Sequence, residues 1–224
     1  MRYLGGKSRI GKQIAEVIQQ FNPVHYHEPF CGVFAVGKHI KCQKRTAGDI
    51  NLDLIYMLQA IQQGWIPPDV SEEQYIALRS DISSPLRGFA GFGCSFYGKF
   101  FGGYARDAAG NNYSAMARRA LLKLAPMMQD VEFRWEKYQN VGADVIYCDP
   151  PYGSTTSYSC GRFDTARFWD WVRDTSKGAV VLVSEYTAPP DFTIVWEKPY
   201  LTQMRGKEGN FQRTEKLFRW RESC

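Results

Sequence analysis

The stretch from Asp144 to Tyr152 constrains this 224-residue chain more than any other. Val145, Ile146 and Tyr147 predict a short buried strand, and Pro150 and Pro151 end it abruptly. Neither proline has an N–H to donate, and each fixes its own φ near about −65°. A stiff, extended corner follows, at the carboxyl edge of whatever sheet the strand joins. In open α/β sheets that edge is where ligands bind. A lone Asp-Pro-Pro also serves as a strand-ending turn whose aspartate is a solvated cap. The chemistry of the corner favours the other reading. A carboxylate on Asp149, a fixed carbonyl on Pro150 and an aromatic ring on Tyr152 together suit a planar amine.

The same strand-then-loop rhythm occurs earlier. Ile10, Ile14, Val17, Ile18 and Phe21 recur at helical spacing and predict a helix over Arg9 to Phe21, with Ser8 available as its cap. Asn22-Pro23 ends it, and Val24 to Pro29 reads as the first sheet strand. It delivers Glu28-Pro29-Phe30-Cys31-Gly32-Val33-Phe34, in which Gly32 lets backbone approach a ligand at a helix start. The pattern is not G-x-G-x-x-G, which weakens a dinucleotide reading. Lys44 to Ala47 predicts a second strand, ending at Asp49, which is placed to accept from ribose hydroxyls; its interval from Gly32 is near the roughly 20 residues expected. Asn51 is the expected cap of a helix over Ile50 to Ile61. Further on, Val131–Tyr138, Ala179–Ser184, Thr193–Trp196 and Glu215–Trp220 read as strands and Phe163–Thr175 as a helix. The class is therefore α/β, with a Rossmann-like sheet.

Between residues 63 and 129 the βα rhythm lapses, so residues 1–62 and 130–224 are expected to form the core and 63–129 a mainly helical insert. Ser71-Glu72-Glu73-Gln74 predicts a capped helix through Leu78. Phe89 to Arg106 alternates glycine with rings and carries Lys99 and Arg106, followed by Asn111, Asn112 and a helix over Tyr113–Met127 whose basic face holds Arg118 and Arg119. Such a segment either packs as an aromatic mini-core or turns rings and cations toward bases and phosphates. The balance of 28 Lys+Arg against 23 Asp+Glu, net +5, permits a polyanionic partner and demands none. Six scattered cysteines without a C-x-x-C pair argue for reduced thiols and against zinc, so no metal is expected. His25 and His27 share a strand face and are given a structural role. The N-terminus lacks an apolar signal core and no run approaches a membrane span, which points to a cytoplasmic protein; a monomer is favoured, with the oligomeric state left open.

Taken together, Asp149-Pro150-Pro151-Tyr152, Glu28-Pro29-Phe30-Cys31-Gly32, Gly5-Gly6-Lys7 and Asp49-Ile50-Asn51 make the chain resemble the Dam-like (D12 class) N6-adenine DNA methyltransferases, of phage or prophage type. The resemblance implies S-adenosylmethionine as cofactor and double-stranded DNA as partner. It implies that Asp149 and the Pro150 carbonyl accept from the adenine amine, with Pro151 stiffening the corner and Tyr152 stacking on the flipped base. Tyr3, Lys7, Glu28, Phe30, Cys31, Gly32, Asp49, Ile50 and Tyr138 become the cofactor contacts. The segment between Asp49 and Asp149 becomes the target-recognition region, with Lys99, Arg106, Asn111, Asn112, Arg118 and Arg119 facing DNA. Two departures stand out: Phe34 replaces a usual glycine, and Lys137 occupies a position where related chains carry an aspartate for the cofactor's adenine amine.

The expected activity is methyl transfer to adenine N6 in DNA, at a specific or relaxed site. Alternatives are methylation of RNA adenine, of cytosine N4 or of a protein glutamine, and a catalytically silent nucleic-acid-binding relative. Asp149, rather than serine or asparagine, favours adenine.

Overall fold

The computed structural model describes residues 1, 6–151, 163–206 and 209–221. A seven-stranded sheet runs through the molecule: β1 (His25–Glu28), β2 (Lys44–Asp49), β3 (Val131–Trp135), β4 (Val145–Cys148), β5 (Val180–Glu185), β6 (Phe192–Gly206) and β7 (Gly209–Trp220). Its order is β3-β2-β1-β4-β5-β7-β6. The first five strands pair in parallel, whereas β7 runs antiparallel to both β5 and β6. The architecture is the Rossmann-like α/β class read from the sequence. The chain winds outward from β1 through β2 to β3, then restarts at β4 on the other side of β1. That places a topological switch point between β1 and β4, where the loops leaving the two strands diverge and open a crevice.

Alternation along the strands divides the core. Val145 and Tyr147 of β4 join one cluster, while Ile146 and Cys148 join the other. Leu182 of β5 and Leu217 of β7 lie with the first cluster, and Val181, Val183 and Phe218 with the second. Successive strand side chains point to opposite faces, so a residue's parity decides which layer it meets.

The helices cover both faces. In α1 (Gly11–Gln19), Ile14, Ala15 and Ile18 are buried. Ser8 does not cap it. The helix begins at Ile10 without a side-chain cap, and the Lys7 carbonyl accepts from Ile10 and Gly11 N–H groups instead. In α2 (Leu52–Gln62), Asn51 Oδ1 accepts from Leu54 N at 3.0 Å, as the sequence predicts. The same holds for α3 (Glu72–Leu78), where Ser71 and Gln74 form a capping box. Then follow α4 (Pro85–Gly88), α5 (Tyr113–Leu124) and α6 (Thr165–Thr175).

Residues 63–129 contain no strand of the sheet, yet they do not stand apart from the core. Phe89, Ala90 and Leu121 belong to the same cluster as Leu54, Met57 and Leu58 of α2. The aromatic stretch is mostly a packed layer: Phe89, Phe92 and Phe101 are buried, the Phe92 and Phe100 rings meet at a tilt with centroids 4.7 Å apart, and Arg87 lies over Phe100 and Phe101. Phe96 and Tyr97 are its exposed rings. The last two strands are much longer than Thr193–Trp196 and Glu215–Trp220. Their outer halves lack a regular apolar alternation, so the side chains give no sign of them, but an antiparallel ladder is held by main-chain bonds whatever the side chains are. The sequence suggests a basic loop between those two short strands, carrying Arg205, Lys207 and Arg213; Arg205 and Arg213 are instead strand residues, and Lys207 lies outside the described residues.

Gly88 lets α4 touch the backbone of α2. A Cβ there would overlap the Asp53 carbonyl oxygen and meet its carbon at 2.8 Å. Arg87 also ion-pairs with Asp53, so the contact is fixed from both sides and has no room to give. Gly88→Ala is expected to destabilise the fold by about 1–3 kcal/mol, measured by urea denaturation; a change under ~0.5 kcal/mol would contradict this packing.

Candidate functional site

Three charged groups from distant parts of the chain meet at the carboxyl edge. Lys7 Nζ lies 2.9 Å from Asp149 Oδ1 and 3.2 Å from Glu215 Oε1. Lys7 is 6% exposed, Glu215 1% and Asp149 19%. Parity explains the meeting. Asp149 follows Val145 and Tyr147 at intervals of two, and Glu215 precedes Leu217 by two, so both carboxylates extend the face that carries the first cluster. Lys7 arrives from the segment whose carbonyl starts α1. Burial alone pushes the Lys7 ammonium down, but Asp149 and Glu215 outweigh it and hold its pKa above the usual lysine value. Beside them, Tyr147 and Ser184 hydroxyls share a 2.8 Å hydrogen bond. Pro150 is buried and Pro151 half-buried; Tyr152 and Tyr3 lie outside the described residues.

On the other side of the switch point, the loop after β1 is built around a buried acid. Glu28 Oε2 accepts from Tyr26 Oη at 3.1 Å and from Gly37 N at 3.0 Å. Full burial pushes its pKa to about 8, against the opposing pull of those two donors. Gly32 takes φ +48° and donates to Asp49 Oδ2 at 3.2 Å, while Asn51 N donates to Asp49 Oδ1 at 2.9 Å. Asp49 therefore ties the two loops together. Desolvation raises its pKa to about 6 despite these bonds. Cys31 is buried and its N–H bonds the Gly48 carbonyl.

Phe34 resolves one departure seen in the sequence. It adopts φ +54°, the left-handed conformation that glycine takes at no cost. The backbone path of a glycine is thus kept by a phenylalanine, at about 1–2 kcal/mol of strain. The ring is fully buried, edge-on to Phe133 at 5.5 Å and under the Arg45 guanidinium at 5.9 Å. Burying such a ring contributes about 1.5–3 kcal/mol, enough to offset the strain. Arg45 further donates to the Gly37 carbonyl at 3.0 Å, fixing the far end of the loop.

Phe30 stacks on Tyr138 at 5.4 Å with an interplanar angle of 23°, forming a half-buried aromatic wall with Phe163 that is backed by the buried Phe168. Ile50 is exposed, and its carbonyl accepts from Trp135 Nε1 at 2.9 Å. Two groups were missed from sequence. Glu136, one residue before Lys137, brings a half-buried carboxylate to this edge; its N–H bonds the Asp49 carbonyl at 3.2 Å and its Oε1 lies 3.6 Å from His27 Nε2. Glu215 was the other, and its signal was a charge on the core-facing parity of an apolar strand.

Of the residues nominated to face DNA, Arg106, Asn111 and Asn112 line one surface pocket together with Asp69, the partner of Arg118. Lys99 and Arg119 are exposed. Arg106 pairs with Glu72, and Arg118 with Asp69 at 3.1 Å. Asn111 bonds Asp107 at 2.7 Å, and Asn112 caps α5 through Ala115 N at 2.8 Å. Among the described residues no His, Cys, Asp and Glu group has the arrangement of a metal site. No helix there is long and apolar enough to cross a membrane.

Residues 3–80 match the model of a family described as D12 class N6 adenine-specific DNA methyltransferase. The match takes in Lys7, the β1 loop and Asp49, and ends before Asp149. Among solved structures, the chain is similar to a putative RNA methyltransferase from Pyrococcus horikoshii (8% identity, TM-score 0.43, 94% of this chain and 84% of that one). It is also similar to an rRNA methylase from Streptococcus thermophilus (6%, 0.39, 94% and 96%). A third is an S-adenosylmethionine-bound amino pentose methyltransferase from Micromonospora echinaspora (8%, 0.36, 97% and 78%). No curated protein matches the chain. The family match is confined to residues 3–80 of the 224, and the sheet is of the Rossmann-like α/β kind.

The Glu28 carboxyl makes a pH-dependent contribution to stability. Its folded pKa lies above the ordinary carboxylate value, so the fold binds its proton more tightly than the unfolded chain does. That stability is complete below the unfolded pKa of 4.5 and is lost as pH rises through about 8. Glu28→Gln keeps a neutral acceptor there, and its unfolding midpoint is expected to fall less than that of the wild type between pH 5 and 8. Parallel pH profiles for the two proteins would refute a protonated Glu28.

Proposed function

We propose that the protein transfers a methyl group from S-adenosylmethionine to N6 of an adenine flipped out of double-stranded DNA. The observation that carries the reading is the Asp149 carboxylate, at the end of a buried strand and at the switch point beside the β1 loop, in a chain whose first 80 residues hold the family match. The residues present suit the cofactor: a half-buried carboxylate at the end of β2 for ribose hydroxyls and an aromatic wall at Phe30 and Tyr138. When bound, S-adenosylmethionine supplies a methyl group activated by its sulfonium, so no covalent bond to the protein is needed.

The amine of adenine is a poor nucleophile because its lone pair is delocalised into the ring. Asp149 and the Pro150 carbonyl accept its two N–H bonds and favour a more pyramidal nitrogen, with the lone pair freed for reaction. The proline corner holds both acceptors in fixed relation, which is positional catalysis. Asp49 takes the ribose hydroxyls, and Gly32 and Phe30 border the donor. An adenine within a duplex cannot reach this crevice, so it must be flipped at a cost of a few kcal/mol; stacking on Tyr152 offsets part of that. Lys99 and Arg119, exposed on the insert, serve phosphates.

Transfer of tritiated methyl groups is measured on unmethylated DNA and on RNA, with DNA binding followed by mobility shift. Asp149→Ala is expected to lose at least ~1,000-fold in turnover while DNA affinity stays within about threefold. Asp49→Ala is expected to weaken cofactor binding by about tenfold or more, with turnover largely restored at saturating cofactor. Label on RNA alone would favour an RNA methyltransferase. No label on either substrate would favour a silent nucleic-acid-binding relative.

A further inference from the structure

We propose that Lys7 and Glu215 are positioning residues that act through Asp149: Lys7 orients the acceptor carboxylate, and Glu215, reaching in from β7, holds Lys7 in place. This rests on the reading of Asp149 as the acceptor for the substrate amine, and it gives Lys7 a different role from the cofactor contact that the family resemblance implies.

Geometry separates the two roles. A lysine serving the cofactor's carboxylate must present its ammonium to the crevice. Here the ammonium is 6% exposed and lies between two carboxylates, at 2.9 Å and 3.2 Å. Glu215 is deeper still, at 1% exposure, so its route to the chemistry runs through Lys7 rather than through a ligand. The three groups come from the segment before α1, the end of β4 and the middle of β7, so their meeting is a product of the whole fold.

Stability alone gives little reason for such a cluster. Taking three ions out of water is expensive, and well-packed apolar side chains of similar volume commonly hold a core equally well. A fixed carboxylate at the edge of a crevice does have a use, because an acceptor that rotates freely loses the alignment that positional catalysis requires. The trio also carries a formal charge of −1, with two carboxylates against one ammonium. That sign favours a cationic methyl donor nearby.

The test compares wild type, Lys7→Met and Glu215→Gln in two measurements: S-adenosylmethionine affinity by calorimetry, and turnover on DNA at saturating cofactor. Positioning predicts cofactor dissociation constants within about threefold of wild type, with turnover down ~100-fold in Lys7→Met and ~10-fold in Glu215→Gln. Lys7→Arg, which keeps the cation, should recover part of what Lys7→Met loses. Unchanged turnover in both variants overturns the inference. So does a Lys7→Met protein whose affinity for the cofactor drops by more than about tenfold while saturation restores its rate, since that is the behaviour of a cofactor ligand. If Lys7→Met does not fold by circular dichroism, the nearly isosteric Glu215→Gln decides alone. A wild type that methylates no DNA sinks the functional reading, and the inference with it; an active wild type beside equally active variants sinks the inference only.

Discussion

The ion contact between Lys7 and Asp149 is the interaction on which the site's organisation depends. It joins the start of the chain to the strand that ends in the proline corner, and it forms because of two elementary facts. Parity along β4 sends Asp149 to the same face as Tyr147, and the parallel pairing of β1 with β4 sets that face beside the β1 loop. Neither fact is local. A carboxylate at the same sequence position on a strand of shifted register would point into the opposite layer, among Ile146 and Cys148.

Around that contact the crevice is braced by side-chain bonds within and between its loops. Glu28 holds Tyr26 and Gly37, Asp49 holds Gly32 and Asn51, and Arg45 holds Gly37 while covering Phe34. The loop after β1 is therefore fixed at both ends and in the middle. Pre-organisation of this kind spares a binding site the cost of ordering its backbone when a ligand arrives. It also explains how a phenylalanine can stand where a glycine is usual. The loop keeps the glycine path, and the buried ring contributes more than the backbone strain takes away.

Much of this was legible in the sequence where the signal was short-range. The helical spacing of Ile14 and Ile18, the capping pairs at Asn51 and Ser71, and the apolar run ending at Cys148 each depend on a few neighbouring residues, and each appears in the structure. Ser8 failed as a cap because the turn before α1 uses the Lys7 carbonyl instead. The length of the β6–β7 hairpin was hidden because its outer halves lack apolar alternation. The glycine-aromatic stretch was ambiguous because composition cannot say which side of a ring faces the core; α2 and α5 pack against the segment holding Phe89 and Phe92, Phe101 meets Tyr75 of α3, and Phe96 and Tyr97 are left outside. Glu215 was invisible as a site residue because its partner lies more than 200 positions away in the chain. Its one trace was a charge on a core-facing position.

The proposed function requires the Asp149 corner to present its acceptors to an adenine amine. The most direct measurement is nucleoside mass spectrometry of DNA incubated with the protein and S-adenosylmethionine bearing a deuterated methyl group. The account predicts deuterated N6-methyladenine as the labelled nucleoside. Deuterated N4-methylcytosine, or labelled nucleosides from RNA but none from DNA, would contradict it.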